Sequence, residues 1–415
     1  MATLKGNAVI GQSGGPTSVI NQSLVGVIEE AIKAPHIDKL LGARHGVRGV
    51  INDDFLDLER TPKELLDRIA NTPSAALGST RDKPDQKYCE QIFDKFRQHN
   101  VRYFFYIGGN DSADTARIVQ ELAEKAKYDL HVFHVPKTID NDLRVHDHTP
   151  GYGSAARFVA CAIMGDNFDN RSLPGIKVDV IMGRNAGFLT AASVLARQHD
   201  NDGPHLIYVP EVQVSEEKFL SDVDRVFTKQ GRCLIAVSEG IVAPNGKTWA
   251  ENVATELASH GEGSVMGLEK DKHGNLQLSG SGALGDHLAD LIKSKLSTGG
   301  KKIRVRADTF GYLQRSFPGL ISDTDATEAR LVGRMAVQYS ADPNNTQGSV
   351  AMRRTSNSPY KIETFLTPLA TVAKETKHLS PEYIVDGHNI SDSFKEYARP
   401  LVGELPRIGT FDELK

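Results

Sequence analysis

Short apolar runs alternate with amphipathic stretches along most of this chain, and that alternation commits it to an α/β sheet wound by helices on both faces. Asn7 to Ile10 reads as a strand feeding a helix over Thr17 to Lys33. Val101 to Ile107 feeds a helix over Ser112 to Ala126, whose first turn is acidic and hydroxyl-bearing. His131 to Val135 comes next, followed by a helix over Gly153 to Met164. The strands Lys177 to Met182, Leu206 to Val209 and Arg232 to Val237 complete the series, with a helix over Ala186 to Arg197 among them. At 415 residues the chain exceeds the usual reach of one hydrophobic core, so two domains are expected. Residues 240–302 are less regular and read as an elaboration around a helix over Ala283 to Leu296.

In such a sheet, ligands bind at the carboxyl ends of the strands, and three loops there carry chemistry. Pro136-Lys137-Thr138-Ile139-Asp140-Asn141-Asp142 packs an ammonium, a hydroxyl and two carboxylates into one turn. Phosphoryl transfer to an alcohol needs that set: one carboxylate takes the hydroxyl proton, while ammonium and metal neutralise phosphate oxygens. Gly14-Gly15-Pro16-Thr17 and Gly108-Gly109-Asn110-Asp111-Ser112 each join a strand to a helix. There glycine lets the backbone approach an anion, and the helix start supplies N–H donors. Asp111 could cap its helix, ligate a metal or plug the space; either glycine loop alone could be a plain turn. Together the three loops favour a site for phosphate and magnesium, an ion that takes few carboxylates plus phosphate oxygens and waters.

A basic group accompanies them. Arg81, Arg184, Arg306 and Arg315 lie at separate strand ends and could converge on a phosphate monoester with fork-shaped hydrogen bonds. Glu239 could accept bonds from sugar hydroxyls or cap Gly240, and His146-Asp147-His148 reads as a polar loop rather than a metal site. Net charge is −4 with no long basic run, which argues against nucleic acid as a partner. Cys89, Cys161 and Cys233 are few and far apart, as in a reducing compartment, and no apolar run reaches membrane-spanning length. A cytoplasmic enzyme is expected.

In this order, Gly14-Gly15, Gly108 to Ser112, Thr138 to Asp142, Met182-Gly183-Arg184 and Gly311 to Arg315 resemble the phosphofructokinase family from about Asn7 to Gln338. The resemblance implies two Rossmann-like three-layer domains with the active site in the cleft between them. A donor-phosphate domain would comprise 1–150 plus about 319–350. A sugar-phosphate domain would comprise 151–318 with an insertion at about 241–302, and an extension would follow over 351–415. Asp140 matches the family's catalytic base, acting on the 1-hydroxyl of fructose 6-phosphate, and Thr138 and Asp142 match neighbours that position substrate and metal. Met182, Gly183, Arg184 and Glu239 match contacts to the sugar. Arg306, Tyr312 and Arg315 match residues around its 6-phosphate, Gly14 a donor-phosphate contact, and Arg81 an arginine bridging the two phosphate groups. Family members also form dimers or tetramers.

The resemblance further implies pyrophosphate as donor. ATP-using relatives tend to carry glycine at the positions of Asp111 and Lys137. A carboxylate at Asp111 opposes a nucleotide α-phosphate, and Lys137 supplies charge to a donor that offers no base or ribose to grip. An ATP-dependent enzyme and a catalytically weak sugar-phosphate-binding subunit are the competing readings. Sedoheptulose 7-phosphate is a further possible acceptor. Two positions depart from the family. Asn110 stands where an aspartate usually helps to hold magnesium, and an arginine that reaches across a subunit interface would fall near Gly175, where Lys177 is close but not an obvious replacement.

Overall fold

The computed structural model describes residues 4–82, 84–259, 282–297, 302–373 and 375–411. Parts of the expected insertion, 260–281 and 298–301, lie outside the described residues. Strands β1 (Gly6–Gln12), β2 (Ile37–Ala43), β3 (Phe55–Asp57), β4 (Val101–Gly108) and β5 (His131–Pro136) come first in the chain. After them come β6 (Ile176–Ile181), β7 (Leu206–Tyr208), β8 (Cys233–Ser238) and β9 (Val305–Thr309), and then β10 (Gln347–Asn357) and β11 (Tyr360–Thr367). The chain divides into two compact units, one of residues 1–155 and 315–377, the other of 156–314 and 378–415.

The first unit holds a sheet in the order β11-β10-β5-β4-β1-β2-β3. From β10 to β2 all neighbours are parallel, and the edge strands β3 and β11 are antiparallel. A parallel strand covered by helices on both faces reads as a continuous apolar run, and β5, His131–Pro136, is buried at every position. The helices Ile20–Ala31 and Asp323–Ser340 pack backbone against backbone. A Cβ on Gly26 would collide with the Arg330 carbonyl oxygen, and one on Gly333 with that of Ser23. Glycine is what permits that approach. β11 and most of β10 come from the stretch expected as an extension over 351–415; in the structure 351–377 belongs to this first unit and 378–415 to the second.

The second unit carries a wholly parallel sheet, β7-β8-β6-β9. Its core includes Val178, Ile235 and Val237 from the strands and Leu288 and Ile292 from the helix Ala283–Leu296, whose bounds match the sequence expectation. The expected helix over 186–197 is shorter, Phe188–Ala192, and tightens into a 3₁₀ turn over Ser193–Ala196. Among the described residues no helix is long and apolar enough to cross a membrane.

Candidate functional site

In the first unit, three strand ends meet. β1 runs into Gly14, whose φ of 74° is left-handed and favours glycine. A Cβ there would stand 3.0 Å from the Lys137 ammonium, and one on Gly15 would stand 3.1 Å from the Arg315 guanidinium carbon. The Gly14 N–H donates to the Thr80 carbonyl at 2.9 Å, and the Ser79 hydroxyl donates to the Gly14 carbonyl at 2.6 Å. The segment bearing Arg81 is thereby fastened to the first glycine loop. β4 ends at Gly108, where a Cβ would strike the Ser112 and Ser13 hydroxyls, which bond to each other. Gly108 accepts the Lys137 N–H at 2.9 Å, tying the second loop to the third.

The helix Asn110–Lys125 starts after Gly109 with no side-chain cap. A helix start of this kind favours negative charge. Asp111 is not the cap; it lies exposed within the first turn. Asn110 is half-buried, its amide within 3.5 Å of the Glu375 carbonyl, while its side-chain carbonyl oxygen is buried with no hydrogen-bond partner.

Lys137 is buried, 3% exposed. Burial first, and then the Arg315 and Arg81 guanidinium groups, push its ammonium down to about 7 against the pull of Asp140 and Asp142. Burial also lifts Asp142, with the neighbouring Asp140 carboxylate adding to the effect, to about 7. Five expected residues (Arg81, Lys137, Asp140, Asp142 and Arg315) thus act on one another electrostatically, with Gly14 against the lysine. The turn is held from behind. The Asp140 N–H donates to the Thr138 hydroxyl at 3.1 Å, and the Thr138 N–H donates to the Pro150 carbonyl at 3.2 Å. The Thr149 hydroxyl donates to the Thr138 carbonyl at 3.0 Å. Asp325, fully buried, accepts the N–H groups of Gly151 and Ser154, each at 2.8 Å.

The second unit holds the other expected residues. Met182 and Gly183 are buried at the carboxyl end of β6. The Met182 N–H donates to the buried Gln314 side chain at 3.3 Å, and the Ser238 hydroxyl donates to the Gly183 carbonyl at 2.6 Å. Glu239 is buried, its N–H donating to Ile181 at 2.8 Å, and a Cβ on Gly240 would collide with the Arg184 carbonyl. β6 and β8 therefore bring Met182 to Arg184 together with Glu239. Tyr312 is 50% exposed in a short 3₁₀ turn. Arg306 is not part of this group. It pairs in register with Lys177 near the amino end of β6, whereas Met182 follows the carboxyl end. Lys177 itself pairs with Asp166 and lies 3.4 Å from Asp308. Asp166, Asp179 and Asp308 are the described acids close enough to share a cation, and the Lys177 ammonium already stands among them.

The sequence reading missed several supports. His146 and His148 stand in a loop, as expected, but their side chains are buried, and His148 lies between Asp147 at 2.8 Å and Glu328 at 2.6 Å. The flanking charged residues were a signal only for Asp147; Glu328 is 180 positions away. Lys377, equally unsignalled, donates to the His146 and Asp147 carbonyls.

Known proteins resemble this chain over nearly its whole length. The sequence profile described as Phosphofructokinase matches residues 7–340. A pyrophosphate--fructose 6-phosphate 1-phosphotransferase of Rhodospirillum rubrum is 52% identical over 96% of this chain and 95% of its own. One bearing the same name from Halomonas elongata is 36% identical over 95% and 91%. The crystal structure of a pyrophosphate-dependent phosphofructokinase from Nitrosospira multiformis superposes with a TM-score of 0.82 at 31% identity, covering 98% of this chain and 94% of that one.

Proposed function

The chain belongs to the phosphofructokinase family, and we propose that its chemistry runs on the loop cluster around Lys137. It transfers a phosphoryl group from pyrophosphate to fructose 6-phosphate, giving fructose 1,6-bisphosphate and phosphate. The observation that supports the mechanism best is the buried Lys137 ammonium. It lies against Gly14 and acts electrostatically on two guanidinium groups and two carboxylates. In this reading Asp140 takes the proton of the 1-hydroxyl as its oxygen attacks phosphorus, and the bond to the leaving phosphate breaks. Lys137, Arg81 and Arg315 receive the charge that develops on the phosphate oxygens, with the uncapped helix start at Asn110 beside them.

The residues fit a magnesium ion. The buried, unpartnered Asn110 carbonyl oxygen and the Asp142 carboxylate would hold it, with waters making up the shell. When bound, magnesium neutralises phosphate oxygens. Thr138 positions Asp140. Met182, Gly183, Arg184, Glu239 and Tyr312 receive the sugar phosphate. Arg306, at the far strand end, has its role toward a second copy of the chain, in a homodimer or homotetramer. The three described cysteines are unpaired, and we place the reaction in the cytoplasm.

The test is fructose 1,6-bisphosphate formation with magnesium and either pyrophosphate or ATP. We expect product with pyrophosphate alone. Changing Asp111→Gly together with Lys137→Gly should lower pyrophosphate-dependent turnover by ~100-fold or more and open some use of ATP. Unchanged pyrophosphate turnover in that variant would contradict the donor assignment.

A further inference from the structure

The turn carrying Asp140 and Asp142 continues into a segment with no regular secondary structure, residues 143–149, and such a segment needs an anchor to hold two like charges side by side. A short strand-like stretch supplies one. Thr376 forms an antiparallel bridge with Leu143, and the Lys377 N–H donates to the Asp142 carbonyl at 2.7 Å. Beside that bridge Arg144 pairs with Glu375. The Lys377 side chain then turns inward, and its ammonium donates to the carbonyls of both His146 and Asp147 at 3.0 Å. One residue therefore grips the segment at both of its ends, by backbone at Asp142 and by side chain four and five positions later.

We propose that Lys377 is a positioning residue for phosphoryl transfer, clamping residues 142–147 so that Asp140 and Asp142 keep their place beside Lys137. The proposal rests on the mechanism given above and extends it to a residue far along the chain. Two carbonyl acceptors and the backbone bond fix the ammonium in direction, so its charge faces Asp142 and Asp147 as well. A loop released at this point would still bind fructose 6-phosphate, whose phosphate is received by residues outside the segment. The base would spend less time within reach of the hydroxyl, and a displacement of ~1 Å costs up to ~100-fold in rate.

The experiment compares the full-length protein with Lys377→Met and Lys377→Arg, measuring steady-state kinetics and amide hydrogen exchange over residues 142–147. For Lys377→Met we expect kcat to fall by ~10- to 100-fold, with KM for fructose 6-phosphate within about twofold of the parent. Exchange at Leu143 to Asp147 should rise by ~10-fold without substrate. Arginine, which can also donate to two carbonyls, should recover most of both effects. Should the methionine variant not fold, Lys377→Gln, which keeps a donor for one carbonyl, serves in its place. A kcat within about twofold of the parent, unchanged exchange, or no recovery with arginine would overturn the proposal. If the unaltered protein does not turn over pyrophosphate, the assigned function fails, and the exchange comparison still decides whether Lys377 clamps the loop.

Discussion

An ammonium buried beside two guanidinium groups gives up its proton easily until an anion arrives. Lys137 is in that position, held at about 7, so near neutral pH a substantial part of the free enzyme carries it as an amine. Pyrophosphate favours the protonated form, and its binding should therefore take up a proton. Raising pH through about 7 removes that proton from the free enzyme, so kcat/KM for pyrophosphate should fall on the alkaline side. A Lys137→Met variant should be slower throughout and lack that limb. An identical limb in the variant would assign the titration to another group. Asp140 supplies a second prediction at this scale. Asp140→Asn should lower kcat by ~100- to 10,000-fold while leaving fructose 6-phosphate affinity nearly intact, as read by calorimetry. Normal turnover would remove it as the base.

Among the elements, the join between β11, the helix Asp323–Ser340 and the loop at His148 is the most open to test. Burial opposes charge on His148, but hydrogen bonds to Asp147 and Glu328 outweigh it and raise its pKa above the ordinary 6.5. Tyr360 of β11 also donates to Glu328 at 2.7 Å, and Arg354 of β10 pairs with Asp147 at 3.1 Å. A histidine with a raised folded pKa contributes stability that is complete below about 6.5 and is lost as pH rises through the higher value. The melting temperature should decline over that range. His148→Gln should flatten the decline and cost ~3 kcal/mol, since it leaves Glu328 buried beside a weaker partner. A pH profile unchanged by the substitution would show that the bridge carries no such linkage. The same elements show where the sequence was legible. β1, β4, β5, β6 and β8 are buried along nearly their whole length and so announce themselves as apolar runs. β9 alternates buried and exposed positions over only five residues, and β11 is mostly half-exposed, so neither stands out from loop. In the cluster around Lys137, the sequence already groups Lys137, Asp140 and Asp142 within one short contiguous loop, and Gly14 lies in another. Lys377 was not legible, because its partner His146 is 231 positions away and a lysine after a loop looks like any surface lysine.

At the scale of the whole molecule, the role proposed for Arg306 toward a second copy of the chain is open to test. This arginine is exposed, at the opposite strand end from Met182, and its guanidinium donates to the carbonyl of its neighbour Val305 at 3.1 Å. Light scattering should show a dimer or tetramer. Arg306→Ala should raise KM for fructose 6-phosphate by ~10-fold or more with the mass unchanged. A fully active monomer would reject that role. The division of the chain has a consequence of another kind, for the order in which a ribosome delivers it. The first unit takes its parts from 1–155 and 315–377, and β10, which covers β5, begins only at Gln347. Through the synthesis of everything from 156 to 346, β5 waits with one side unpaired, a bare edge of the kind that recruits neighbouring chains. Nascent chains of this protein should therefore depend on chaperones most in that interval, and ribosome stalling within it should leave more aggregated product than stalling near residue 100.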